Sequence, residues 1–294
     1  MMISFEAMKE DRLLTDIFHR PFSLRKLKWV WSKWQETLYG RGWNCLYIEN
    51  HDHPRSISRF GSETYRTESG KSLACAYLFQ QGTPIVYQGQ EIGMTNIRLR
   101  SIHEYEDVQT HHIYDTCPRR MSAEKRLQRV WDTSRESSRT PMQWNGGKNA
   151  GFTAGMPWFY VNPNYTEINV ADQEDDPDSL LNFYRDAIEL RRTLPVVRRG
   201  AYRQYEPLNE NLYIYERRSK AERLLVICSF TDKSVKFTAP KEYELARGEL
   251  LLWSHEENVE KNGFMTKPYE CRVYYFRERR RRGREHVAPP KDDF

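Results

Sequence analysis

The chain has 294 residues, and its 18 Tyr, 13 Phe and 8 Trp exclude a disordered polymer, because that much ring area demands burial. The formal charge of +5 is matched by residues 277–284 alone, "RERRRRGR", so the rest is neutral and nothing in its charge favours nucleic acid. Five cysteines without a CxxC pair argue against a zinc ribbon or a disulfide framework, and no apolar run is long enough for a membrane span; the expected setting is the reducing cytoplasm.

In chain order, "MMISFEAM" is a short apolar run expected to form a strand. In "SLRKLKWVWSKWQETLYGRG", Leu24, Leu27, Trp31, Trp34 and Leu38 fall on one helical face, with Ser23 as N-cap and Gly40 closing the helix. "WNCLYIEN" reads as a strand, "KSLACAYLFQQG" as a helix ending at Gly82, and "TPIVYQGQE" as a second buried strand. Strands about 40 residues apart with helices between them have the rhythm of parallel β/α units. Residues 92–176 read as a long loop held in order by its aromatics. "SLLNFYRDAIELRRTLP" restores a helix, stopped by Pro195. Beyond it, "NLYIYERR", "RLLVICSF", "SVKFTA", "ELLLW" and "CRVYYF" are strands joined by polar turns, an antiparallel β-domain over residues 200–276. Residues 277–294 form a basic tail expected to be disordered.

Chemistry is suggested by "LYIENHDHPRSISRFG", where His51, Asp52 and His53 follow an apolar run. An Asp at the C-terminal end of a parallel strand sits where β/α folds hold their ligands. Asp52 can there grip a hydroxyl, act as a base or hold a metal, with His51 as a second contact. Adjacent strand residues point to opposite faces, which disfavours a shared metal, and His103, His111 and His112 show no ligand spacing. On spacing alone, Asp52 reads equally well as a cap on the turn before Pro54, paired with Arg55.

"NHDHPR" followed by "SRFG" resembles the fourth conserved region of the α-amylase superfamily, glycoside hydrolase family 13, in its oligo-1,6-glucosidase and α-glucosidase branch. "GTPIVYQGQEIGMTN" is similar to the strand 8 segment of those enzymes, and "SRTPMQW" with "GFTAGMPWFYVNPNYTEINV" to a run peculiar to the branch. The resemblance ends near Phe276. It implies an α/β plus all-β fold: residues 1–199 as the C-terminal portion of a (β/α)8 TIM-type barrel, about strands 6–8, and residues 200–276 as a β-sandwich. It also implies roles. Asp52 becomes the carboxylate that grips ring hydroxyls and stabilises the transition state, His51 shares that grip, and Arg139 in "SRTPMQW" helps hold the substrate, an α-gluco-oligosaccharide such as isomaltose or maltose. Gln90 and Glu91 are structural. His53 stands where Gln is usual and "RESSR" replaces the common R-D-N-A-R, so the branch's substrate preference does not transfer with the motif.

The retaining mechanism also needs a nucleophilic Asp and a general-acid Glu about 5 Å apart. In the family these follow strands 4 and 5, and neither motif occurs in the 51 residues before Asp52. The chain is therefore expected to start inside the barrel and to be inactive alone, with the N-terminal half of the barrel as its natural partner. No organic cofactor is implied, and the calcium site of some members lies earlier in the family chain than this sequence. The competing reading is a non-catalytic carbohydrate-binding remnant, or a subunit of a split enzyme. The Arg run comes with no nucleic-acid-binding signature and is expected to be a solvated tail.

Overall fold

A computed structural model describes residues 1–9, 12–13, 18–19, 21–255 and 262–278. The basic tail from residue 279 onward lies outside the described residues.

The barrel-like part begins with the opening run, which does not form the expected strand and makes one isolated parallel bridge, Met2 to Asn44. A single 3-10 turn, Ala7–Lys9, follows it, and β1 (Arg12–Leu13) pairs antiparallel with β2 (Phe18–His19). Helix α1 spans Leu24–Leu38. Ser23 occupies its N-cap with extended backbone but without a side-chain cap bond, so the expected cap contributes its position alone. Gly40 takes φ +69° just past the end, the left-handed turn that glycine adopts without strain. Strand β3 (Cys45–Leu46) pairs in parallel with β4 (Thr83–Pro84), as the β/α rhythm predicts. Between them stand α2 (Ser56–Phe60) and α3 (Arg66–Leu78). Gly82 closes this connection at φ +148°, and a Cβ there would stand 2.6 Å from the Asn44 carbonyl oxygen.

Two further expectations need correction. The strand expected to be buried, "TPIVYQGQE", is not: Ile85 is 43% exposed, since β4 has no partner strand on its far side among the described residues. The long loop also holds α4 (Val108–Asp115), α5 (Ala123–Thr133) and α6 (Val170–Glu174). A buried cluster containing Ile97, Tyr105, Ile113, Val130 and Phe159 packs α4 against α5. Helix α7 (Leu180–Thr193) is capped by Ser179, whose hydroxyl accepts from the Asn182 N–H at 3.2 Å. Pro195 does end that helix, but it also opens α8 (Pro195–Arg199), where its fixed φ suits a first helical position.

The antiparallel part is a five-stranded sheet made of β5 (Ala201–Tyr205), β6 (Leu212–Arg218), β7 (Glu222–Ser229), β9 (Glu249–Trp253) and β11 (Cys271–Arg277), in the order β5-β6-β7-β11-β9. A two-stranded sheet joins β8 (Lys236–Thr238) to β10 (Gly263–Met265). Alternation sorts the side chains of the large sheet. Tyr213, Tyr215, Leu224, Val226, Cys228 and Val273 join one core with α1, α3 and α8. Leu212, Ile214, Leu225, Ile227, Tyr274 and Phe276 meet Phe237 and Phe264 of the small sheet. Both faces are covered, so β6, β7 and β11 read as nearly continuous apolar runs. Polar ties reinforce the first core: the Tyr215 hydroxyl donates to the Cys75 carbonyl at 2.8 Å, and the Ser72 hydroxyl to the Ser229 carbonyl at 2.8 Å.

Candidate functional site

Past β3 the chain continues through buried Tyr47, Ile48 and Glu49 and then turns. The Asn50 side chain makes the turn, its Oδ1 accepting from the Asp52 N–H at 2.8 Å. Because the backbone bends here, His51 and Asp52 do not diverge: His51 Nε2 lies 3.3 Å from Asp52 Oδ2.

Arg55 does not pair with Asp52. Its guanidinium is fully buried against Glu49, 2.8 Å away, and Glu49 also accepts from the Ser56 N–H and hydroxyl. The same guanidinium donates to the Gln88 carbonyl at 2.6 Å and the Ser137 carbonyl at 3.1 Å, while the Arg55 N–H donates to Asn96 Oδ1 at 2.8 Å. One side chain thus joins the turn after β3, the segment after β4 and the segment before Arg139. The reading of Asp52 as a mere cap paired with Arg55 fails for this reason.

Asp52 answers instead to two other arginines. A 3-10 turn at Arg135–Arg139 sets both guanidiniums on one side. Arg139 Nη2 donates to Asp52 Oδ1 at 3.0 Å, Arg135 Nη1 reaches the same oxygen at 3.3 Å, and Arg139 Nε donates to the His51 carbonyl at 2.9 Å. His51, Asp52 and Arg139, predicted from sequence, are therefore brought together. Two further residues complete the cluster. Asp107, the N-cap of α4, takes Arg135 Nε at 2.7 Å and Arg139 Nη1 at 3.1 Å. Burial alone would raise the Asp107 carboxyl, but Arg135, the Gln109 N–H and Arg139 together hold it below its ordinary range. Its hydrogen bond to Asp107, backed by the Asp52 charge, raises the Arg135 guanidinium in turn.

Sequence reasoning missed Asp107 and Arg135. Arg135 had a signal, the i,i+4 spacing in "RESSR"; Asp107 had none beyond being a good helix cap. Among the described residues, no group of three His, Cys, Asp or Glu side chains is arranged to hold a metal ion. Gln90 is structural, its amide donating to the Tyr77 and Tyr184 hydroxyls at 3.0 and 2.9 Å.

Two carboxylates and two guanidiniums balance, so the cluster neither attracts nor repels by net charge. Both arginines crowd Asp52 Oδ1. The other oxygen faces His51 on a side chain that is 45% exposed, and a ligand hydroxyl can donate to it. Such a charge-assisted hydrogen bond is about twice as strong as a neutral one.

Residues 1–200 match the model of the alpha-amylase catalytic domain. The chain belongs to the alpha-amylase family. It is 41% identical over 263 residues to the oligo-1,6-glucosidase of Parageobacillus thermoglucosidasius, covering 88% of this chain and 47% of that protein. It also superposes on the trehalose-6-phosphate hydrolase of Bacillus licheniformis with a TM-score of 0.88 at 36% identity, covering 94% of this chain and 51% of the other. Against the isomaltulose synthase of Klebsiella sp. LX3 the TM-score is 0.86 at 35% identity, over 93% and 50% of the two chains. The chain spans about half the length of the curated relatives it matches. Parallel segments with their helices, followed by an antiparallel sheet, are the C-terminal part of such a barrel enzyme. No helix among the described residues is long and apolar enough to cross a membrane.

Proposed function

We propose that this chain supplies the sugar-gripping share of an α-glucoside-cleaving active site. The observation that carries this is the exposed Asp52 carboxylate, fixed by Arg139 and flanked by His51, beyond the end of a parallel strand. Asp52 accepts a hydroxyl of the glucosyl ring, and that bond strengthens as oxocarbenium character develops. His51 adds a second contact, and Arg139 holds the carboxylate in place. The substrates are α-linked gluco-oligosaccharides such as isomaltose or maltose, in keeping with relatives named for oligo-1,6-glucosides.

The same geometry supports inactivity of the chain alone. The carboxylate that shares both arginines with Asp52 is Asp107, and it suits neither missing role. Its side chain is 7% exposed, so it cannot attack a sugar, and it is held ionised, so it cannot donate a proton. The reacting Asp and Glu are supplied by the rest of a barrel, which makes that part the natural partner. The five buried free thiols support a cytoplasmic setting.

The experiment is complementation. The purified chain is assayed on isomaltose alone, and again with a polypeptide covering the remaining half of the Parageobacillus enzyme. Hydrolysis is expected only in the mixture, and Asp52→Asn in this chain should depress kcat more than it raises KM. Turnover by the chain alone, abolished by that substitution, overturns the claim of inactivity. Turnover by the mixture that is indifferent to the substitution overturns the role of Asp52.

A further inference from the structure

A cleft of about 860 Å³ lies between α1 and the loop joining β5 to β6, and it shares no residue with the Asp52 cluster. Its volume is in the range of small-molecule sites. Trp29 is 62% exposed on the α1 side and Leu208 is 72% exposed on the loop side. The loop is firmly held from below. The buried Lys28 ammonium donates to the carbonyls of Glu206, Asn209 and Leu212 at 3.1, 2.6 and 3.0 Å.

The charges along the cleft identify the chemistry of its ligand. Arg25 is paired with Glu210 at 3.3 Å, and Lys33 with Glu6 at 2.9 Å. That leaves Lys26 and Glu36, one of each sign, so no net field selects an anion or a cation. What remains is an aromatic face bordered by donors and acceptors. The Lys33 ammonium sits 5.2 Å from the Trp29 ring centre. Gln204 lines the same wall, its side-chain oxygen accepting from the Ser32 hydroxyl and its amide nitrogen buried beneath the surface. A flat ring face beside balanced polar groups fits a neutral polyhydroxylated ring, whose C–H face covers the indole while its hydroxyls meet the exposed Glu36 and Lys26.

We infer that this cleft is a second, non-catalytic site for a neutral oligosaccharide, with Trp29 as its platform. That the sugar is α-glucosidic rests on the reading of the Asp52 cluster; that it is neutral rests on the cleft alone.

The test is calorimetric titration of the full chain with maltotriose and with isomaltotriose, repeated on Trp29→Ala, Trp29→Phe and Asp52→Asn. Trp29 is exposed, so unchanged thermal melting is expected of its variants. Saturable binding that weakens at least about tenfold in Trp29→Ala, is largely kept by Trp29→Phe and is unchanged in Asp52→Asn supports the inference. No saturable binding, or binding indifferent to Trp29→Ala, overturns it. Binding lost in Asp52→Asn but kept in Trp29→Ala also overturns it, while leaving the reading of the Asp52 cluster intact.

Discussion

Asp107 holds two guanidiniums that would otherwise repel each other beside Asp52. Replacing it with Asn leaves both arginines short of an acceptor in a mostly buried place, which costs about 1–3 kcal/mol. A carboxyl held below its ordinary range in the folded state stabilises the fold above its unfolded pKa and ceases to do so as pH falls through its native one. Urea melts of wild type and Asp107→Asn should therefore differ at pH 7 and converge as pH drops below about 4. A gap that persists undiminished at pH 3 would show that the carboxylate charge is not what holds the cluster. Arg55 poses a different case, because both members of its pair are fully buried. Arg55→Met strands the Glu49 charge and is expected to cost about 3–5 kcal/mol in the same melts. Arg139 was legible in sequence because it sits in a distinctive run, whereas Asp107 was not, because an Asp before Val-Gln looks like any helix cap.

Among the elements, α1 is held by more than its apolar stripe. Trp31 meets the Tyr213 ring at 5.5 Å, and Lys28 pins the β5–β6 loop. Burial, partly offset by the Glu206 carboxylate, lowers the Lys28 ammonium to about 8. Between that value and the ordinary lysine range near 10.4, the unfolded chain binds the extra proton, so this residue's contribution to stability grows as pH rises. Comparing Lys28→Met with wild type, the difference in stability should shift in favour of wild type between pH 8 and pH 10; a constant difference would contradict the lowered value. The period of α1 was readable because five large apolar residues mark one face. Helices α4 and α5 were missed because "VQTHHIYD" and "AEKRLQRVWDT" carry few apolar residues, and their packing depends on Ile97, Tyr105 and Phe159 from outside both helices. Strands β5 and β10 escaped notice for a similar reason: "AYRQY" and "GFM" are too short or too polar to show an alternation.

For the molecule as a whole, the large sheet and the helices share one apolar core, so they should melt in a single transition by far- and near-UV circular dichroism. Two separated transitions would mean that the sheet folds independently. The far side of β4 is the weak flank. Its backbone faces no partner strand among the described residues, and Ile85 is exposed there, while Ile3 and Phe5 are exposed on the opening run that bridges to Asn44. The purified chain is expected to bind a hydrophobic dye and to associate as its concentration rises, and the complementing half should reverse both. Light scattering that stays flat with concentration would rule this out. The overall order of elements was legible in the spacing of motifs, but the exposure of β4 was not, since an apolar strand looks alike in sequence whether or not a neighbour covers it. Arg55 carries a last consequence. Of its partners across the site, Gln88 and Ser137 are held by their carbonyl oxygens. Every amino acid offers that oxygen, so replacing the exposed Gln88 side chain should leave its bond to Arg55 in place, whereas the fully buried Ser137 leaves room for small side chains alone. The spacing of the two segments is thus set by backbone and one guanidinium, and not by the surface side chain that a solvent-facing loop can exchange.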